Sequence, residues 1–198
     1  MSISLSKGQK LSLSKNNPGL TKVFMGLGWD PAKKKSGGFF GKLLGGGGGA
    51  DSIDLDASVI MFDASRAALD VVYFGQKKSK DGSILHGGDN LTGDGDGDDE
   101  VIYVNLAALP PNVAHLVFTV SSFRGQTFNE VDNAVARLVN DTNAQEICRY
   151  ALHEQGAHTG VIMASMTKGS DGWTMAAHGK PCQGRTANDL AGDARSVI

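Results

Sequence analysis

The densest chemistry in this 198-residue chain lies between Gly87 and Glu100: six of the twelve residues from Asp89 to Glu100 are carboxylates, and none is basic. Drawn together without a counterion, such groups repel, and relieving the conflict by protonation costs about 1.4 kcal/mol per pKa unit. A divalent cation removes the conflict. Hard oxygen donors select calcium or magnesium over zinc or copper, and a flexible, ligand-dense loop suits calcium's roughly six to eight positions better than magnesium's strict octahedron. Gly93, Gly95 and Gly97, interleaved with the acids, permit the positive φ values a chain needs to wrap several oxygens around one ion. The loop is not an EF-hand. Counted from Asp94, acids stand at positions 1, 3 and 5, but Asp99 takes the glycine position, Asn105 takes the glutamate position, and a strand-like Val-Ile-Tyr-Val run follows.

A second acidic group stands upstream at Asp51–Ser58. On a strand, Asp54 and Asp56 project from one face about 7 Å apart, with Ile53 and Leu55 on the other. No basic residue lies between Lys42 and Arg66, so a metal shared with the Asp89–Glu100 loop is the economical expectation; a solvated acidic fringe is the alternative. The same carboxylates could serve a metal-dependent hydrolase or phosphate-processing enzyme. That would require an open coordination position beside a concave pocket. Other chemistry finds less support. The five histidines are scattered without zinc-ligand spacing, and no Gly-x-Ser-x-Gly elbow occurs. Cys182 reads as an exposed thiol near the tail, and Arg124 reads equally as an anion ligand or as the partner of an acidic loop.

The elements that would position these groups are mostly short strands. Ile3 and Leu5, then Leu11 and Leu13, alternate with polar residues about Lys7-Gly8-Gln9 as a hairpin would. Further runs lie at Val23–Leu27, Ile53–Phe62, Leu69–Phe74, Val101–Leu106, Val113–Val120, Ala134–Val139, Glu146–Leu152, Gly160–Met166 and Trp173–Ala177, the last two forming a hairpin. Thr127–Asn133 and the tail from Thr186 to about Ala194 read as helical. The expected fold is all-β: a β-sandwich of about ten short strands with one or two short helices, in one domain over residues 1–198. Residues 33–50 hold eight glycines among Phe39, Phe40, Leu43, Leu44 and four lysines, and read as a flexible insert. It either docks a partner or a membrane surface, or folds back on its own domain. It is not a phosphate loop, because Leu43 follows Gly41-Lys42 where a hydroxyl is needed.

Composition sets outer limits. Hydrophobic residues at 40% and charged residues at 20% describe a folded globular chain. No apolar run is long enough to span a bilayer, so an integral membrane protein is not expected. The N-terminus lacks a secretory signal, and two cysteines are too few for a disulfide framework, which favours the cytoplasm. The net charge of -2 is segregated: residues 1–50 carry eight lysines against one aspartate, and residues 51–100 carry four basic groups against twelve acidic ones. A mildly acidic total argues against nonspecific nucleic-acid binding as the main activity, and no specific nucleic-acid partner is expected, although the basic first quarter could meet an anionic surface.

Four motifs in order carry a family resemblance: GLGWD (Gly26–Asp30), DLDAS (Asp54–Ser58), HGGDNLTGDGDGDDE (His86–Glu100), and SFRGQTF with the following NAVARLVN (Ser122–Asn140). Together they resemble the TerD domain family of bacterial tellurite-resistance and stress-response proteins. The glycine-rich insert and EQGAHTGVIMASM are similar to the TerZ branch. The resemblance covers essentially the whole chain. It implies a non-catalytic, calcium-binding β-sandwich that takes one or two Ca²⁺ ions at acidic loops and acts as a Ca²⁺-ordered adaptor. Its partners would be other tellurite-resistance proteins, met in the cytoplasm or peripherally at the inner face of a membrane. By motif it nominates as metal ligands Asp54 and Asp56, Asp89 and Asn90, Asp96, Asp98, Asp99 and Glu100, with Asp30 as a further one. Asp94, where the family often has glutamate, is left outside the set.

Overall fold

A computed structural model describes residues 2–32, 54–88, 97–153 and 155–198. The described strands are β1 (Ile3–Leu5), β2 (Lys10–Ser12), β3 (Lys22–Pro31), β4 (Asp56–Phe62), β5 (Ala68–Val72), β6 (Ile84–His86), β7 (Glu100–Asn105), β8 (His115–Ser121), β9 (Val131–Asn140), β10 (Gln145–Ala151), β11 (Gly160–Gly169) and β12 (Gly172–Cys182). They form two six-stranded sheets, ordered β1-β10-β9-β3-β7-β6 and β2-β12-β11-β8-β4-β5. The expected all-β sandwich is therefore the fold. Its core lies between the sheets, where Met25, Leu27, Leu55, Val59, Phe118, Phe128 and Leu138 are essentially buried. Each such side chain contributes about 1.5–3 kcal/mol of transfer free energy, and the alternation seen in sequence is the alternation of faces.

Helix α1 (Leu13–Asn16) is a single turn, and α2 (Ala187–Arg195) is capped at its N-terminus by Thr186, whose side chain accepts from the Asp189 N–H. Ala187, Leu190 and Ala194, one face at helical spacing, pack on Ile60, Phe62, Val117 and Ile162 in a second, smaller core on the outer face of the β4–β8 sheet. Among the described residues no helix is long and apolar enough to cross a membrane.

Three expectations need correction. β1 and β2 do not form a hairpin. Gly8, at φ 80°, turns the chain so that β1 adds in parallel to β10 while β2 adds antiparallel to β12 in the other sheet. Two three-residue strands paired only with each other would be marginal; each instead completes the edge of a large sheet. Thr127–Asn133 is not an α-helix: a 3₁₀ turn at Phe128–Glu130 passes directly into β9. The β-branched Val131, Val135 and Val139 favour the pleated surface. Cys182 is not exposed but 5% accessible, and burial pushes its thiol up to about 11. The strand β6, three residues long, carried too little periodicity to be read in advance. The glycine-rich insert lies outside the described residues.

Candidate metal centre

The acids that sequence reading grouped together are distributed by the sandwich over several faces. Parity along β4 and the residue before it sends Leu55, Ala57 and Val59 into the inter-sheet core, and Asp54, Asp56 and Ser58 to the opposite face, continuous with Ile60 and Phe62. The expected shared face of Asp54 and Asp56 is therefore present, and both are only 6% exposed. Asp54 Oδ2 accepts from Arg124 Nε at 2.8 Å, whereas the buried Oδ1 has no hydrogen-bond partner among the described residues. This decides the open reading of Arg124 in favour of an acidic partner.

Glu100 opens β7 and points inward. Its Oε2 accepts from the Ala57 N–H at 2.7 Å, which ties the first turn of β7 to β4 across the two sheets. His86 Nε2 stands 3.3 Å from the same oxygen and 3.2 Å from Ala57 O, with both side chains fully buried. His86 Nδ1 accepts from the Gly88 N–H, so the ring proton that meets Glu100 and Ala57 sits on Nε2. No spacing in the sequence signalled this pair.

Asp98 turns the other way, over the outer face of β3. Gly26, paired in register with Arg137 of β9, leaves bare backbone there, and a Cβ at position 26 would overlap the Asp98 carboxylate. Into that space Arg137 forks both Asp98 oxygens, at 2.6 Å from Nε and 2.7 Å from Nη2. The premise that the acidic loop has no cation of its own thus needs correction: β9 supplies one to Asp98, as the Arg124 loop does to Asp54. Local sequence could not show it, because both arginines arrive from later strands and turns.

Asp99 lies between these two. Its Oδ2 accepts from the Trp29 N–H at 2.7 Å and its own N–H donates to Leu27 O. Burial pushes its pKa up from the ordinary carboxylate value, and the nearby charges of Asp30, Glu100 and Asp98 push in the same direction. Asp30 is exposed at the end of β3, accepting from Asn133 Nδ2 at 2.7 Å. Asp89, Asn90 and Asp96 lie outside the described residues, as does Asp94. Among the described residues no three His, Cys, Asp or Glu side chains converge as a metal-holding group.

Residues 1–193 match the TerD domain family. The chain belongs to that family. It is 48% identical over 198 residues to tellurium resistance protein TerZ of Serratia marcescens, covering 99% of this chain and 98% of that one. It is 42% identical to stress response protein SCP2 of Bacillus subtilis (strain 168), with 96% and 98% covered, and 38% identical to tellurium resistance protein TerD of an Alcaligenes species, with 96% of each covered. Among solved structures, a homologue of telluride resistance protein (TerD) from Streptomyces coelicolor A3(2) superposes with a TM-score of 0.67 at 22% identity, covering 87% of this chain and 96% of that one. At that identity the likeness concerns the fold. The relatives matched along nearly their whole length bear the names of tellurium-resistance and stress-response proteins.

Proposed function

We propose that this protein is a non-catalytic, Ca²⁺-ordered adaptor of the stress response, in which calcium is held by the acids described above together with Asp89, Asn90 and Asp96. The carrying observation is Asp54: a buried carboxylate with one oxygen on Arg124 and the other, Oδ1, lacking any hydrogen-bond partner among the described residues. A buried carboxylate oxygen left without a partner is costly, and a hard cation is the partner that chemistry would choose. Asp56, buried on the same face as Asp54, and the half-buried Asp99, whose pKa is raised by burial and by the charges of Asp30, Glu100 and Asp98, fit the same reading. The residues that would hold the ion are Asp54, Asp56 and Asp99 together with Asp89, Asn90 and Asp96 and the exposed Asp30. Glu100, held by Ala57 and His86, is suited to positioning β7 against β4. Asp98, forked by Arg137, would have to exchange one guanidinium bond to join.

The bound ion would supply positive charge and order at one end of the sandwich. It would thereby create a surface for other tellurite-resistance proteins, in the cytoplasm or at the inner face of a membrane. Calcium titration of the full chain, followed by calorimetry and by amide shifts, tests the reading. Saturable binding of one or two ions is expected, with thermal stabilisation that grows logarithmically with free calcium. An unchanged spectrum and melting temperature at millimolar calcium would overturn it.

A further inference from the structure

On the outer face of the β4–β8 sheet the apolar surface stops where α2 stops covering it. Along β4 the outward residues run Phe62, Ile60, Ser58, Asp56, and along β8 they run Val117, Thr119, Ser121; Asp56 and Ser121 pair in register. Both strands therefore change from apolar to polar at one level, just beyond the N-terminus of the helix. The polar stretch is nevertheless buried: Asp56 is 6% exposed, and Ser58 and Ser121 are 1% exposed. Above it lies a cleft of about 280 Å³ with Asp56, Ser58 and Ser121 as its floor, Phe74 and Phe123 in its walls and Arg185 at its mouth. The Ser121 hydroxyl, which lines this cleft, has no hydrogen-bond partner among the described residues. Phe74 and Phe123 stand edge to face, centroids 5.9 Å apart, although Phe123 is 53% exposed.

We propose that this cleft is a binding site for a small organic amine, its ammonium seated on Asp56, Ser58 and Ser121 and its apolar body held against the rings of Phe74 and Phe123. The floor offers a carboxylate and two hydroxyls, a set that accepts hydrogen bonds from a three-donor ammonium. Aromatic walls favour a cation over a neutral head group. Arg185 carries the opposite preference, but it is exposed and screened by water, whereas the buried Asp56 acts through a lower dielectric, so the floor decides. The volume sits just below the about 300–1,000 Å³ of ordinary ligand pockets, which selects a ligand of one ring or a short chain over a nucleotide.

The test is a titration of the full chain with 2-phenylethylamine in chelator, read by calorimetry and amide shifts, with 2-phenylethanol and phenylacetate as neutral and anionic counterparts. For nine non-hydrogen atoms the expected dissociation constant is about 0.1–1 mM. Asp56→Asn should weaken binding at least about tenfold. Phe123→Ala, at an exposed position that tolerates truncation, should weaken it about threefold to tenfold. If Asp56→Asn fails to fold, the Phe123 variant and the alcohol comparison carry the test. Equal binding of the alcohol, preference for phenylacetate, or no saturable binding of the amine would each overturn the proposal. Asp56 also stands among the proposed calcium ligands, so the two cations would exclude each other there; because the titration contains no free calcium, failure of the amine leaves the calcium reading standing, and failure of calcium leaves the amine site standing.

Discussion

Replacing Arg137 by methionine keeps most of the stem but strands the Asp98 carboxylate. That carboxylate is 8% exposed, lies on the bare backbone of Gly26 and holds the guanidinium through two short parallel bonds. Breaking a buried ion pair from one side costs about 3–5 kcal/mol, because the remaining charge keeps its desolvation penalty without its partner. The Arg137 side chain is 31% exposed, so water already shares part of the interaction. We therefore expect a loss of about 2–3 kcal/mol, which for a chain of this size lowers the melting temperature by roughly 4–12 °C. Glu146 does not amplify the loss, since Arg149 holds it independently. Adding Asp98→Asn removes the stranded charge, so the double variant should recover most of the stability, a non-additivity that a double-mutant cycle reads directly. Urea unfolding in chelator is the assay, because chelator keeps calcium from standing in for the guanidinium. A single variant within about 0.5 kcal/mol of the parent, or a double variant showing the simple sum of the two losses, would refute the claim that this pair is a buried, mutually dependent contact.

Two further outcomes follow from the charges and thiols. Glu146 is pulled down to about 2, chiefly by its hydrogen bond from Arg149. A carboxylate depressed on folding stabilises the native state above its unfolded pKa, near 4.5, and that contribution is lost as pH falls toward 2. Discounted for the half-exposed Arg149, it amounts to about 1–2 kcal/mol, and Glu146→Gln should flatten the acid limb of a urea-midpoint profile between these pH values by that amount; parallel profiles would count against it. Burial raises the thiol of Cys148 to about 12 and that of Cys182 to about 11. Neither should react with a thiol reagent at pH 7.5 until the chain is unfolded in urea, and rapid labelling of Cys182 in the folded protein would show that the tail does not cover it.

Much of the sandwich was legible residue by residue, because a strand announces itself through the alternation of a few neighbours. The β11–β12 hairpin is an example, turning at Gly172 with φ 98°, as is the capped helix that begins after Thr186. The readings that failed were those in which a local pattern had two uses. Ile3–Leu5 and Lys10–Ser12 alternate as a hairpin would, yet alternation says nothing about which edge a strand joins. Val131–Asn140 begins within a stretch readable as helix, and is a strand because β3 and β10 wait on either side of it.

For the site, the sequence alone determined the excess of carboxylates between Asp51 and Glu100 and the shared face of Asp54 and Asp56. Only the tertiary structure decided which charges meet which partners. It delivered Arg137 from β9 to Asp98, Arg124 to Asp54, and a buried His86 to Glu100. It also set the polar floor of Asp56 and Ser121 beneath two phenylalanines rather than in water. The division has one physical cause. Alternation and chain stiffness act over a few residues and can be read along the chain, whereas electrostatic partnership and burial depend on the register between strands far apart in sequence.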